Sequence, residues 1–172
     1  MRVIVKNFYR KQNARECVDY ITRYNEKLYD RNGEEMDHAE EKDFVNKTRD
    51  YDYHHHIIIS PEEKLSTEEL KEYTNNYVDA WLLESNRQYT TDYCYSIHDT
   101  IKHPHAHVVL SGDPHELKIN REEAGQMHEL AREYYLEPEK NISLEQGLIK
   151  EEEKTKTLEL EQEHGLEMGG MV

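Results

Sequence analysis

The sequence predicts an α+β domain in which a central antiparallel sheet carries helices on its faces. Two patterns predict this class. Short runs rich in β-branched and aromatic residues are typical of strands, and longer stretches with apolar residues three and four positions apart are typical of amphipathic helices. The 172 residues suit one domain. Hydrophobic residues make up 35% of the chain and charged residues 34%, which predicts a lean core and a polar tail.

Strands are predicted where apolar runs meet turn signals. The first covers about 2–8, and the second covers about 52–60 and stops at Ser60-Pro61. A hairpin is predicted over 90–112, because the run before His98 can fold back antiparallel through a short connection onto residues 104–111.

Helices are predicted from apolar periodicity and from capping signals. Ser66 and Glu69 are three residues apart, as are Asn120 and Glu123, which is the capping-box distance. The three predicted helices cover about 14–29, 67–87 and 120–136.

Two segments are predicted to stand apart from this core. Residues 30–51 are polar and show no clear period, which indicates a mobile loop. We predict that residues 1–137 form the domain and that 138–172 form an acidic C-terminal tail, partly helical or disordered. Within the tail, residues 148–164 are the stretch that can form an exposed helix.

Localisation is predicted from what the chain lacks. No apolar run approaches the length of a membrane span, and the N-terminal residues lack the apolar core of a signal peptide. Cys17 and Cys94 have no metal-ligand spacing. A reduced, cytoplasmic protein that does not interact with membranes is the expectation.

The net charge of −15 argues against tight, non-specific binding of DNA. The charge is unevenly distributed, however. Residues 1–33 hold eight Lys and Arg against four Asp and Glu, a balance of +4, and residues 137–172 hold four Lys against ten Glu, a balance of −6. If the chain binds nucleic acid, the basic N-terminal segment is therefore the expected contact.

A histidine cluster is the most specific feature of the sequence. His105 and His107 immediately precede the apolar run 108–110, so on a strand they share a face, about 6–7 Å apart. His98 ends the preceding strand and would lie beside this pair. Three imidazoles with open positions are typical of a catalytic metal site. The plain alternatives are a histidine-rich surface strand and an adventitious metal clip.

The segment resembles the histidine motif of the HUH endonucleases, in the form carried by plasmid mobilisation and conjugation relaxases. There a His opens the motif and a His-x-His pair closes it before an apolar strand, as His98 and His105-Ala106-His107 do here. The order of elements is similar too: a short strand, a helix holding Tyr20, a strand ending in Ser60, a long helix and the hairpin. The likeness covers about four-fifths of the chain and implies a sheet related to ferredoxin-like and RRM folds.

One position departs from the family pattern. Such relaxases often carry an acidic residue two positions after the first His, and here that position is Thr100. The acid is Asp99, one residue earlier. On a strand its carboxylate would point to the opposite face, which puts its usual supporting role at the metal in doubt.

The resemblance implies a metal-dependent, site-specific endonuclease and strand transferase that acts on single-stranded DNA. A tyrosine hydroxyl attacks the phosphodiester, which leaves a 5′-phosphotyrosine and a free 3′-OH. Mg²⁺ or Mn²⁺ is the implied cofactor, bound by His98, His105 and His107. The implied partners are single-stranded DNA at a nick site and accessory DNA-processing proteins.

Two tyrosine sites compete for the role of nucleophile, because the chain has 13 tyrosines and tyrosine alone is no signal. Tyr20, followed by Ile21-Thr22-Arg23, matches the relaxase arrangement and is the predicted nucleophile. Tyr134 and Tyr135 match the arrangement of rolling-circle replication initiators. Tyr24, one helical turn after Tyr20, is a second nucleophile or a base-stacking residue. The ordinary role of a helical tyrosine is packing in the core.

Other residues are candidates for contact with DNA. Arg15 and Arg23 are predicted phosphate contacts, with surface solubility as the alternative. His103 is a predicted phosphate contact or a spare metal ligand. Residues 54–56 are three histidines that either cap the end of a strand or place one ring beside the metal. Two other functions stay open: a non-catalytic DNA-binding protein of the same fold, and a metal-dependent phosphoesterase with no covalent step.

Overall fold

The computed structural model describes residues 3–10, 14–23, 26–49, 53–99 and 103–136. In this part of the chain a five-stranded antiparallel sheet is flanked by four helices, which confirms the predicted α+β class. The strands are β1 (Val3–Arg10), β2 (Leu28–Asp30), β3 (His54–Pro61), β4 (Thr91–His98) and β5 (His105–Gly112). The helices are α1 (Arg15–Ile21), α2 (His38–Arg49), α3 (Thr67–Glu84) and α4 (Arg121–Leu136). The tail predicted at 138–172 lies outside the described residues.

The strands lie in the order β1-β3-β5-β4-β2, and every neighbouring pair is antiparallel. The predicted hairpin is therefore confirmed as β4 and β5, with His98 directly opposite His105. β5 lies at the centre of the sheet, which explains its continuous apolar run: a strand buried on both faces has no solvent side to alternate with.

The two faces of the sheet carry separate hydrophobic clusters. α3 and α4 pack on one face, where Tyr77 and Met127 meet Val108. α1 and α2 pack on the other, where Val18 and Ile21 meet Val109 among others. Because Val108 and Val109 are neighbours on β5, their side chains point to opposite faces. His107, two residues from Val109, therefore lies on the α1 side of the sheet.

Both predicted capping boxes are present. The Ser66 hydroxyl accepts from the backbone N–H of Glu69, whose carboxylate accepts from the backbone N–H of Ser66. Asn120 and Glu123 exchange the same two kinds of bond. Each pair satisfies backbone donors that the first helical turn leaves without partners.

Within the described ranges, every helix is too short or too polar to span a membrane.

The helix predicted over 14–29 is wrong in its second half. α1 ends at Ile21, where the Thr22 hydroxyl donates back to the Val18 carbonyl, and residues 28–30 form the edge strand β2. The cause is tertiary: Leu28 pairs with Ser96 on β4 and is buried. A three-residue strand has no periodicity of its own to reveal it.

The mobile loop predicted over 30–51 is also wrong, because this stretch contains the 12-residue helix α2. The Asp37 carboxylate accepts from the backbone N–H groups of Ala39 and Glu40, and the Glu40 carboxylate accepts from that of Asp37. This capping box was the missed signal. Phe44 and Val45 form a short apolar patch in this charged helix, and they are buried against the second face of the sheet.

Candidate metal centre

The β4–β5 hairpin brings three imidazoles together. One ring nitrogen from each of His98, His105 and His107 lies within 4.8 Å of the other two. The ring centroids are 4.4 to 5.2 Å apart. The juxtaposition predicted from strand parity is therefore confirmed, and these residues could hold a metal ion.

Two of the three rings are fixed by backbone carbonyls. His98 Nε2 lies 2.7 Å from the Ile21 carbonyl oxygen, and His105 Nδ1 lies 2.9 Å from that of His103. A nitrogen facing a carbonyl must donate, so the other nitrogen of a neutral ring carries the lone pair. His98 Nδ1 and His105 Nε2 are therefore left as ligand atoms, in the arrangement that commonly orients metal-binding histidines.

The third ring is held by another histidine. His107 Nδ1 lies 2.9 Å from Nε2 of His56, and the two rings stack with centroids 5.1 Å apart. Both residues are buried, with 3% and 7% of their surface exposed. His107 Nε2 is then the nitrogen left for a metal. His56 lies inside β3 and not at its end. For this ring, the prediction of a place beside the candidate metal ligands therefore fits better than the prediction of a strand cap.

The doubt about Asp99 as a supporting acid is consistent with its position. Asp99 follows β4 directly and is exposed, and Thr100 lies outside the described residues. Among the residues that the structure describes, the hydrogen-bond partners of the three rings are the carbonyls of Ile21 and His103 and the ring of His56.

Burial keeps the deeper imidazoles neutral. Desolvation, followed by the neighbouring His98 and His56 rings, lowers the pKa of His107 to about 3. Desolvation, followed by the charge of His54, lowers the pKa of His56 to about 4. Both rings therefore keep a lone pair at neutral pH, which is the state that binds a metal or accepts a hydrogen bond.

Tyr20 reaches the edge of this cluster from α1. Its ring is edge-on to His107, with centroids 5.9 Å apart and planes at 82°, and 44% of its surface is exposed. The guanidinium carbon of Arg23 lies 4.0 Å from the centroid of the Tyr20 ring. Val18 and Ile21, buried in the second hydrophobic cluster, anchor the helix. The predicted Tyr24 lies outside the described residues.

Tyr134 is far from this arrangement. It is only 7% exposed and packs beside Met127 and Ala131 in the cluster between α3, α4 and the sheet. That cluster covers the face opposite to His107. Burial raises the pKa of the Tyr134 hydroxyl. Tyr134 thus has the core-packing role that is ordinary for a helical tyrosine, while the side chain of Tyr135 lies outside the described residues.

The candidate DNA contacts differ in their surroundings. Arg15 is bound within the protein, because its guanidinium lies 2.7 Å from the Glu41 carboxylate and ties α1 to α2. A phosphate would have to compete with this carboxylate. Arg23 is exposed beside Tyr20, and His103 is exposed two residues before the first residue of β5. Both residues are more exposed than Arg15.

A cavity of about 290 Å³ adjoins the metal centre. It opens between α1 and the strands β1 and β3, and it shares Tyr20 and His56 with the surroundings of the three imidazoles. Sequence reasoning missed this cavity, and no local pattern indicates it, because its lining residues come from β1, α1 and β3, which are separated in the chain. Its lining residues are Phe8, Arg10, Glu16, Cys17, Tyr20, His54, His56 and Ile58.

The cysteines show no sign of reactivity. Burial raises the pKa of the Cys17 thiol to about 12, and burial raises that of Cys94 well above its usual value. A thiol needs a lowered pKa to act as a nucleophile at neutral pH. Both residues are free cysteines and act as small apolar side chains.

Comparisons with protein-family models and with curated proteins found no match to this chain.

Proposed function

We propose that this protein is a metal-dependent endonuclease and strand transferase for single-stranded DNA, of the relaxase-like HUH type, with Tyr20 as its nucleophile. One observation carries the proposal: the exposed Tyr20 lies edge-on to His107, within a cluster of three imidazoles that could hold one ion. A hydroxyl nucleophile beside a metal site with only three protein ligands suits transfer of a phosphoryl group.

The residues present fit a divalent cation. His98, His105 and His107 would hold such an ion. It would supply a Lewis acid for the scissile phosphate and would offset the negative charge that develops there. Imidazole ligands favour Mn²⁺ over Mg²⁺, so Mn²⁺ is the better assay metal. Mg²⁺ is the alternative as the cofactor used in the cell.

The role proposed for Tyr20 is nucleophilic attack on phosphorus. A bond forms between the tyrosine oxygen and phosphorus, the phenolic proton leaves, and the bond to the 3′ oxygen breaks with that oxygen taking up a proton. The product is a phosphodiester between tyrosine and the 5′ end, so the step can be reversed by the free 3′-OH. Arg23, stacked on the ring of Tyr20, is suited to hold the incoming phosphate.

The replication-initiator arrangement has less support, because Tyr134 is buried on the other side of the sheet. A non-catalytic DNA-binding protein with the same fold would keep strand binding without forming an adduct. The experiment below therefore measures binding and adduct formation separately.

The test is to trap the covalent complex. The purified protein is incubated with random-sequence, 3′-labelled single-stranded DNA and Mn²⁺ and run on a denaturing gel, where a labelled protein band is the expected result. Tyr20→Phe removes the hydroxyl only, so the band should disappear while strand binding stays within about twofold. Tyr89→Phe, at a residue 92% exposed, is the matched control and should keep the band.

Two results would count against this proposal. A Tyr20→Phe protein that still forms the adduct, with Tyr135→Phe unable to, would show that the nucleophile is on α4. Wild-type protein that binds the strand without any adduct in Mn²⁺ or Mg²⁺ would indicate the non-catalytic alternative. Peptide mapping of the DNA-linked fragment identifies the tyrosine directly.

A further inference from the structure

The exposed face of β1 continues the surface of the metal centre. Phe8 pairs with His56, and Lys6 pairs with Ile58, which in turn pairs with His107. Residues paired directly across antiparallel strands share a face, so Lys6 and Phe8 lie on the same side of the sheet as His107. With strands about 4.8 Å apart, Lys6 is roughly 10 Å from His107 along this row.

This face alternates apolar and basic residues. Ile4 and Phe8 are 41% and 36% exposed, and Lys6 and Arg10 between and beyond them are also exposed. The Arg10 guanidinium lies 6.0 Å from the centroid of the Phe8 ring. Exposed aromatic rings interleaved with cations are the combination that binds single strands, since bases stack on rings while phosphates meet cations. On an edge strand, charged residues also prevent edge-to-edge pairing with other sheets. The cations by themselves therefore do not indicate that this face binds a nucleic acid.

The cavity at the end of this row is a second observation, separate from the residue pattern along β1. Its volume of about 290 Å³ lies near the lower end of small-molecule sites, which suits one planar base rather than a longer stretch. Cys17 and Ile58 provide apolar surface, and Phe8 and Tyr20 provide aromatic surface. The carboxylate of Glu16 repels a phosphate but can accept hydrogen bonds from the amino group of a base.

We propose that this cavity receives one unstacked base of a single strand next to the scissile phosphate, with Phe8 as its stacking surface and with Lys6 and Arg10 as contacts to the flanking phosphates. The identity of the ligand as a DNA strand rests on the proposed function. The cavity adds to that function a reason why the substrate must be unpaired: a base enters only after it has left its partner.

The test compares natural and abasic strands. Binding of the full chain to a fluorescein-labelled 20-nucleotide DNA is measured by anisotropy in EDTA, so that the strand is not cut. A second probe has the same backbone with abasic sites throughout. Wild-type protein should bind the natural strand more tightly than the abasic one, because only the natural strand can fill the cavity.

The Phe8→Ala variant should bind the natural strand about 5- to 100-fold more weakly, the range expected for loss of one stacked base, and should bind the abasic strand unchanged. Phe8→Leu keeps most of the apolar volume and so controls for a folding defect. Because it has no aromatic ring, it should recover only part of the affinity for the natural strand. Tyr89→Ala, at the exposed tyrosine outside this surface, should change neither affinity.

Equal binding of both strands by the wild type would overturn this inference, as would equal losses in Phe8→Ala and Tyr89→Ala. These failures differ from a failure of the proposed function. If Tyr20 forms its adduct and Phe8→Ala binds normally, only the base site is wrong. If Phe8→Ala binds weakly and no adduct forms, the strand is held but not cut. If the wild type binds neither strand, both proposals are wrong.

Discussion

Each ring of the candidate metal centre uses one nitrogen for a hydrogen bond within the protein, which leaves its other nitrogen for a possible metal ion. His98 and His105 donate to carbonyls, and His107 bonds to His56. The remaining nitrogens are oriented before any ion arrives, so little side-chain freedom is lost on binding.

Removing two of the ligands should abolish metal binding. We expect the double substitution His105→Ala and His107→Ala to reduce Mn²⁺ affinity below detection by calorimetry, because one imidazole cannot hold the ion alone. The matched control replaces His115 and His128, both exposed, and should leave affinity unchanged. Wild-type affinity in the first variant would exclude this cluster as the binding site.

His56 should matter to the metal without touching it. Replacing His56 with Ala removes the partner of His107 Nδ1, so Mn²⁺ affinity should fall about 10- to 100-fold, the usual effect of losing a supporting hydrogen bond. His56→Gln supplies an amide in place of the ring and should recover part of the loss. Calorimetry measures this directly, and an unchanged affinity in His56→Ala would show that stacking and burial alone hold His107.

At the scale of elements, two helices were predictable from their capping boxes, whereas a third capped helix and a three-residue strand were missed. Ser66 and Asn120 begin helices that the sequence predicts from capping boxes. α2 has the same signal at Asp37 and Glu40, but its strongly charged composition obscured it. β2 is only three residues long and depends on pairing with β4, which no local pattern encodes.

The cap of α3 offers a stability test that should not affect the metal centre. Ser66→Ala should lower the free energy of unfolding by about 1 kcal/mol, because a backbone N–H of the first turn loses its acceptor. Ser66→Asp retains an acceptor and should remain close to the wild type. Urea denaturation provides the measurement. Mn²⁺ affinity should be unchanged in both, because α3 packs on the opposite face of the sheet, and a change there would show coupling between the faces.

For the whole molecule, buried imidazoles predict how stability depends on pH. Desolvation, then the charge of His54, lowers the pKa of His55 to about 4, and His56 and His107 are lowered as well. A free imidazole titrates near 6.5. As pH falls through 6.5 the unfolded chain takes up these protons before the folded one does, so stability is fully present above pH 6.5 and is lost below it.

The measurement is urea denaturation of the metal-free protein between pH 7.5 and about 5.5, above the range in which most carboxylates titrate. The loss should approach at most about 1.4 kcal/mol per pH unit for each buried imidazole. His55→Gln should have a shallower slope, because it removes one of these groups on the face away from the metal. His128→Gln, at an exposed position, should keep the wild-type slope.

The net charge of −15 makes the salt dependence of DNA binding informative. Few phosphates can be neutralised, so the slope of log affinity against log salt should be shallow. Arg23→Ala should reduce that slope by about one contact. The sequence predicted the same for Arg15, but its ion pair with Glu41 now leads us to expect a smaller effect. Equal reductions in both variants would show that DNA displaces the carboxylate.

The sequence by itself determined the α+β class, the hairpin and the clustering of His98 with His105 and His107. These features depend on the alternation of side chains along strands and on contacts between residues close in the chain. Both can be recognised in the order of the residues alone. Only the tertiary structure decided that His56 supports His107, that Tyr20 and not Tyr134 lies beside the imidazoles, and that Phe8 borders a cavity. Those pairs are distant in sequence, and they meet because β3 lies between β1 and β5 and because buried apolar residues fix α1 on that face.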